Sequence, residues 1–557
     1  MGRCPCGIFT DLVSDSTTMV SSGQDPVQYI AAGCNRTPHC MAWSQGSGLV
    51  FYGSHHSVCV YSVTRAKVVS TLHAHTARVN CVRSVVTHPG VEYVVSGSTD
   101  NTVSVWKGDG EQFCKVISYK AHTGVVTNLA IAVVGEVLII VSTATDSTIK
   151  ISKVSLEKSE AEVVSEASVD LETGLALDLH LAFLPGLAQP LLMVARDDCK
   201  LHLFEEGERG WGRVGVLAGH EDWVVSLDSK VEGSGLVIVS GSQDSFVRMW
   251  RMELVREKQE GGELTVREEV VVVGGEQWGV TVESVLAGHE GRVYSVQWGE
   301  GGKQLLTASM DKTMMIWEEE EGGIWLEKVR VGETGGNTLG FLGAQWGEGG
   351  KQILGYSWGG AFHLWEGEAD VGWSAEVVGG GHQEGVVDIS WERKGRYLLS
   401  VGRDQTARVH ALWQEKGVWQ EVARPQVHGY DMSCCAMLSD HKYVSGAEEK
   451  VLRAFSAPSN FLDNLSKITG QKVEVGTRLA QGASTPSLGL SNKAVFQVYI
   501  AISPAPIPIL SNHRVLRRLQ QKRNMSRISF QIVTSQQRFT PGLHQRKPWC
   551  RTHYGLR

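Results

Sequence analysis

Nine copies of one short signature recur between residues 51 and 455, spaced about 45 residues apart, and no other feature constrains the fold as tightly. They read FYGSHHSVCVY (51–61), VSGSTDNTVSVW (95–106), STATDSTIKIS (142–152), VARDDCKLHLF (194–204), VSGSQDSFVRMW (239–250), LTASMDKTMMIW (306–317), GYSWGGAFHLW (355–365), SVGRDQTARVH (400–410) and VSGAEEKVLRAF (444–455). Each copy is a strand, a tight polar turn and a second strand that usually ends in an aromatic residue. A repeat of this length marks a propeller array, in which one unit cannot bury its apolar face without its neighbours.

The unit has internal mechanics. A histidine opens most copies: His75, His122, His220, His289, His382 and His428. An apolar strand follows, as in VVSLDS (224–229), VYSVQW (293–298) and VVDISW (386–391). An aspartate then occupies the turn: Asp100, Asp146, Asp198, Asp244, Asp311 and Asp404. The aromatic comes six residues later, at Trp106, Phe204, Trp250 and Trp317, with Trp365 in the matching place of the seventh copy. An aspartate in a turn accepts a hydrogen bond from a histidine folded over it. That histidine reaches a hydroxyl on the middle strand, such as Ser96 or Ser240, and the Trp N–H ends the chain. Such a network holds a four-stranded blade only when every member is satisfied. These residues resemble the WD40 repeat, so the expected fold is all-β, a WD40 β-propeller. The predicted relay residues are His75, Asp100 and Trp106, then His220, Asp244 and Trp250, then His289, Asp311 and Trp317.

The strand ends count the blades. Tyr61, Trp106, Ser152, Phe204, Trp250, Trp317 and Trp365 give seven, and His410 and Phe455 give two more. Propellers close with about four to eight blades. The reading is therefore one seven-bladed propeller over 27–379, followed by the first blades of a second, incomplete propeller over 380–497. Residues 1–26 are expected to be an unordered leader. The interval from Trp250 to Trp317 is too long, and its surplus is the Glu-rich stretch 251–279. That stretch reads as an acidic insertion, a charged loop or extra hairpin on the fifth blade. VQYIAAG (27–33) reads as an isolated strand that, in a full-length relative, closes the second propeller rather than the first, because GWSAEVV (372–378) can already fill the outer place in blade seven.

Composition excludes several classes. No apolar run approaches the ~18–20 residues of a membrane helix, and the first twenty residues lack the apolar core of a signal peptide. The eleven cysteines are odd in number and scattered through strand patterns, which points to reduced thiols in the cytosol or nucleus. From Lys493 to Arg557 there are twelve Lys/Arg and no Asp/Glu, so residues 1–492 carry 41 − 60 = −19 within a chain of net −7. Strand–turn grammar stops after Gln497, and 498–557 reads as a basic, disordered tail. Its RVLRRLQQKRNMSR (514–527) could bind RNA electrostatically.

Beyond the repeat, ARPQVHGYDMSCCAM (423–437), VSGAEEKVLRAFSAPSNFLDNLSKITG (444–470), GASTPSLGLSNKAVFQ (482–497) and HTARVNCVR (75–83) are distinctive. They resemble the family of the second subunit of the Elongator complex, over residues 27–497. The resemblance implies two seven-bladed propellers, of which this chain would hold the first and the opening of the second. It also implies a scaffold that grips the largest and the catalytic subunits of an assembly modifying wobble uridine in transfer RNA (5-carboxymethyl-type uridine). That assembly has also been linked to RNA polymerase II transcription elongation. The expected location is cytoplasmic and nuclear, with transfer RNA met at most indirectly.

Catalytic motifs are missing from the sequence. His220-Glu221 and His289-Glu290 begin like a zinc-protease motif, but Val224 and Val293 stand where the second histidine belongs. GETGGNTLGFLG (332–343) lacks a strand-to-helix context, and GEGGKQ (347–352) lacks the Ser or Thr of a phosphate loop. Histidines and aspartates repeated blade after blade are structural. The chain is thus expected to be no enzyme, with no cofactor, metal, membrane or small-molecule substrate. What a propeller offers is a rim of loops on a rigid scaffold. The residues three after each opening histidine lie on one rim, and Arg78, Trp223 and Arg292 are the partner-binding candidates, because Arg and Trp are enriched at interface hot spots. Three readings result: a scaffold of that assembly, a generic WD40 adaptor in another complex, or an RNA-binding protein acting through the tail.

Overall fold

The computed structural model describes residues 27–471 and Leu479, apart from Pro89, 157–161, 256–268, 333–339, 369–371, His428 and 449–451. The leader 1–26, the tail 498–557, the middle of the acidic insertion and most of GETGGNTLGFLG lie outside the described residues.

Among the described residues, nine antiparallel sheets follow one another along the chain, and each is built from consecutive strands. The inner strands of the first seven are Met41–Trp43, Val79–His88, Val126–Val134, Ala176–Ala182, Val224–Glu232, Val293–Trp298 and Phe341–Trp346. Each packs on the next, and the first packs on the seventh, so seven sheets close into a ring. Middle strands are covered on both faces by neighbouring blades and read as nearly continuous apolar runs, as in GLVIVSGS (Gly235–Ser242), where every residue is buried. Outer strands such as Gly210–Ala218 meet solvent and turn mixed.

Blade seven owns all four of its strands, the last being Gly372–Glu376. The ring therefore closes by side chains and not by a shared strand. Gln345 donates to Met41 O at 3.0 Å and accepts from Trp43 N, Gln45 donates to Trp346 O at 2.7 Å, and Tyr356 Oη donates to Thr37 O at 2.8 Å.

One expectation needs correction. VQYIAAG forms no strand: among described residues, 27–35 runs without ladder partners, laid across the junction between the ring and the eighth blade. Among its described residues, the insertion holds the extra hairpin read from the sequence. Glu269–Val273 pairs with Glu276–Ala287 as a fifth, outermost strand of blade five. Val271, Val273 and Trp278 are buried in the core shared with blade four, so one face of that hairpin is structural.

After the ring come a four-stranded eighth blade starting at Val386–Trp391 and a three-stranded ninth starting at Met432–Ser439. The helix Ser459–Thr469 follows Pro458 and ends at Gly470, which takes the left-handed conformation (φ 67°) that suits a glycine C-cap. Its apolar residues Phe461, Leu462, Leu465 and Ile468 fall on one helical face, and Leu465 enters the core of blade eight. The strand reading of the sequence did not foresee this helix.

Candidate functional site

The turn aspartates do two jobs. One carboxylate oxygen accepts the N–H two residues on: Thr102, Thr148, Lys200, Phe246, Thr313 and Thr406 donate at 2.8–3.2 Å. This local ring lets the intervening residue turn left-handed, as at Asn101, Ser245 and Lys312 (φ 68–77°). In blades five and six the other oxygen faces the opening histidine and the backbone beside it.

Blade five shows the full relay. His220 Nδ1 lies 2.8 Å from Asp244, His220 Nε2 lies 2.8 Å from Ser240 Oγ, and Trp250 Nε1 donates to that Oγ at 3.0 Å. Blade six repeats it, with His289 at 2.8 Å from Asp311 and 2.8 Å from Thr307, and Trp317 donating at 3.0 Å. In blade two, His75 meets Ser96 at 2.7 Å but reaches Asp100 mainly through Thr102, its own distance to the carboxylate being 3.4 Å. Trp106 there sets its ring edge-on to His75 at 6.1 Å. Burial raises the Asp244 and Asp311 carboxyls, but bonds from the histidines and turn amides outweigh it and hold both down at about 2. Blade four has no opening histidine, and His202 from the following strand takes Asp198 at 2.8 Å instead.

A second set of polar contacts joins blade to blade, and the sequence reading missed it. Asn80 donates to Val126 O, and Asn128 to Leu177 O. Asp178 accepts Leu227 N at 2.7 Å, Ser226 accepts Val296 N at 2.8 Å, Asp228 accepts Trp298 N at 2.7 Å, and Gln297 accepts Trp346 N at 2.9 Å. From blade two to blade seven, each inner strand thus carries a polar side chain that satisfies the backbone of the next. The signal was present as Ser, Asp or Gln at alternate positions of apolar inner strands. At the axis these strands leave a cavity of about 200 Å³ lined by His39, Arg83, Asp178, His180 and Asp228 among others. Asp178 is already engaged there, by Asn128 at 2.7 Å as well as by Leu227. Among the described residues, no group of three or more His, Cys, Asp or Glu is placed to hold a metal ion.

The three contact candidates occupy equivalent places. Each sits in the loop entering a blade, and its carbonyl accepts from the facing turn: Thr99 N to Arg78 O, Gln243 N to Trp223 O and Met310 N to Arg292 O, at 2.8–2.9 Å. They belong to blades two, five and six on one rim. Arg78 and Arg292 are exposed, and Trp223 keeps 45% of its surface in solvent. Trp358, whose N–H donates to Gly340 O in the same pattern on blade seven, is also exposed, and sequence reasoning passed over it. An exposed tryptophan on a rigid rim is an apolar anchor with its ordering cost already met by the scaffold.

Comparison with known proteins agrees with the repeat. The WD domain, G-beta repeat family matches residues 66–107, 211–251, 281–318 and 376–410. The chain is 40% identical over 508 residues to Elongator complex protein 2 of Danio rerio (86% of this chain, 61% of that protein). Identity to the Homo sapiens protein of the same name is 39% over 510 residues (85% and 61%), and to that of Saccharomyces cerevisiae 29% over 468 residues (77% and 58%). The chain spans about three fifths of the length of these curated relatives.

Proposed function

Because this chain is a WD-repeat homologue of Elongator complex protein 2, we propose that it is a non-catalytic scaffold of the Elongator assembly. The observation that carries this reading is identity of 40% over 508 residues, 86% of the chain. Its partners are the other subunits, in particular the largest and the catalytic one, and transfer RNA meets it only through them. On this reading the assembly acts on wobble uridine, in cytoplasm and nucleus, and the chain contributes geometry rather than chemistry. The rim bearing Arg78, Trp223, Arg292 and Trp358 is its capture surface.

The test is affinity capture of the full chain from native extract, read by mass spectrometry. Recovery of the largest and catalytic subunits supports the scaffold reading. Recovery of a different set of partners favours a WD40 adaptor of another complex. Arg78→Ala with Arg292→Ala should cut recovery several-fold at an unchanged Tm, since exposed substitutions usually stay within about 0.5 kcal/mol. Undiminished capture by that variant removes the rim from the proposal.

A further inference from the structure

Blade eight departs from the relay pattern at one position, and the departure has a chemical direction. In blades five and six a tryptophan ends the strand and donates its single N–H to the relay hydroxyl. In blade eight the same position is His410. The chain of contacts runs Asp404 to His382 Nδ1 (2.8 Å), His382 Nε2 to Ser400 Oγ (2.8 Å), Ser400 Oγ to His410 Nε2 (2.9 Å), and then onward from His410 Nδ1 to Tyr29 Oη (3.0 Å). One assignment of protons satisfies every member. His382 Nδ1–H donates to Asp404, Ser400 O–H to His382 Nε2, His410 Nε2–H to Ser400, and Tyr29 O–H to His410 Nδ1. Indole has one donor and no acceptor, so with tryptophan the chain would stop at this residue. Imidazole supplies the same donor and adds an acceptor, and Tyr29 fills it from 381 residues away.

Tyr29 belongs to the segment 27–35 that crosses the junction. Along it, Gly33 N donates to His382 O at 2.9 Å on blade eight, and Cys34 N donates to Gly360 O at 3.1 Å on blade seven. Ala32 O accepts from Tyr52 Oη at 3.0 Å on blade one. Asn35 Nδ2 donates to His55 O and Val79 O, at 3.0 and 2.8 Å. The fit is close: a Cβ on Gly381 would lie 2.3 Å from Ala32 N, and one on Gly33 would lie 2.6 Å from Gly381 O. Beneath the segment, Arg408 is fully buried between Asp404 (3.0 Å) and Glu421 (2.7 Å), and Gln420 donates to Ala66 O of blade one.

We propose that residues 27–35 are a strap that fixes the eighth blade at one orientation on the seven-bladed ring, and that His410 is the catch through which Tyr29 fastens it. The strap sets the angle between what docks on the ring and what docks on the blades beyond. It stands whether or not those partners are Elongator subunits.

Hydrogen–deuterium exchange on the full chain tests this, with Gly33 and Cys34 as reporter amides. His410→Trp keeps the relay donor and deletes the acceptor. It should speed exchange at 29–34 by about tenfold, leaving the amides of blade five unchanged. Tyr29→Phe removes one hydroxyl, cannot disturb the fold at large, and should speed the same amides by a smaller factor, about two- to fivefold. Unchanged exchange at 29–34 in both variants overturns the proposal. So does equal acceleration in every blade, which would make His410 an ordinary core residue.

Discussion

VYSVQW (293–298) in blade six and VVDISW (386–391) in blade eight are the same strand written twice, and they end in different environments. Val296 and Trp298 are 5% and 8% exposed, whereas Ile389 and Trp391 in the matching places are 56% and 53% exposed. Both tryptophans have an aromatic partner within their own blade, Trp325 at 5.4 Å and Trp419 at 5.5 Å. The difference lies in the preceding blade. Blade five covers blade six, accepts its Val296 and Trp298 N–H groups on Ser226 and Asp228, and lays Lys230 over the Trp298 ring at 4.3 Å. No blade among the described residues stands in front of blade eight. The apolar pattern therefore specifies a strand and its pleat, while burial is a property of the pair of blades.

The largest effect that would break this comparison is truncation of the two tryptophans. Trp298→Ala should destabilise the ring by about 3–5 kcal/mol in denaturant unfolding, and Trp391→Ala by less than about 1 kcal/mol. Equal losses would mean that Trp391 is covered in solution. Next comes the relay. Asp244→Ala leaves His220 and two backbone amides without their acceptor and should cost about 1–3 kcal/mol; an unchanged Tm would refute the role given to that carboxylate. A smaller effect, about 0.5–1.5 kcal/mol, is expected for Ser226→Ala, which unpairs Val296 N. Ser390→Ala, at the longer 3.2 Å contact to Met437 N, should cost less than that.

Acid sharpens the contrast most gradually. Burial, first of all, lowers His410 from 6.5 to about 4, with His382, Arg408 and Arg424 acting in the same direction and Glu421 opposing them. The neutral imidazole is the folded form, so its contribution is complete above about pH 6.5 and is lost as pH falls toward 4. Asp244, held at about 2 against an ordinary 3.8, contributes above 3.8 and loses its contribution only as pH falls from there toward 2. Exchange measured from pH 7 to 3 should show blade eight loosening before the blade-five relay does. The reverse order would contradict the assigned proton pattern.

What the sequence disclosed follows the range of each interaction. The relay was legible because Asp244, Trp250 and Ser240 lie within eleven residues of one another and the set recurs. The contacts from Asp178 to Leu227 and from Gln297 to Trp346 were not, because each joins a side chain to a backbone amide 49 residues away, and an amide has no residue type to recognise. The bond between Tyr29 and His410 hides for the same reason over a longer span. His410 itself was counted only as a strand end lacking its aromatic. The strand predicted at 27–33 does not form, and the backbone at its end is held instead by single carbonyls of two blades, Gly33 N on His382 O and Cys34 N on Gly360 O.

The seam between blades one and seven has one more consequence. Since every described blade is made of consecutive strands, none has to wait for a distant stretch of chain to complete its sheet. During synthesis each blade can form as it leaves the ribosome and template the next. The ring can shut once residue 376 has emerged, without threading a terminus home. Such wiring within each blade favours sequential assembly. It also makes the glutamine-fastened seam the place where the ring would part first under load.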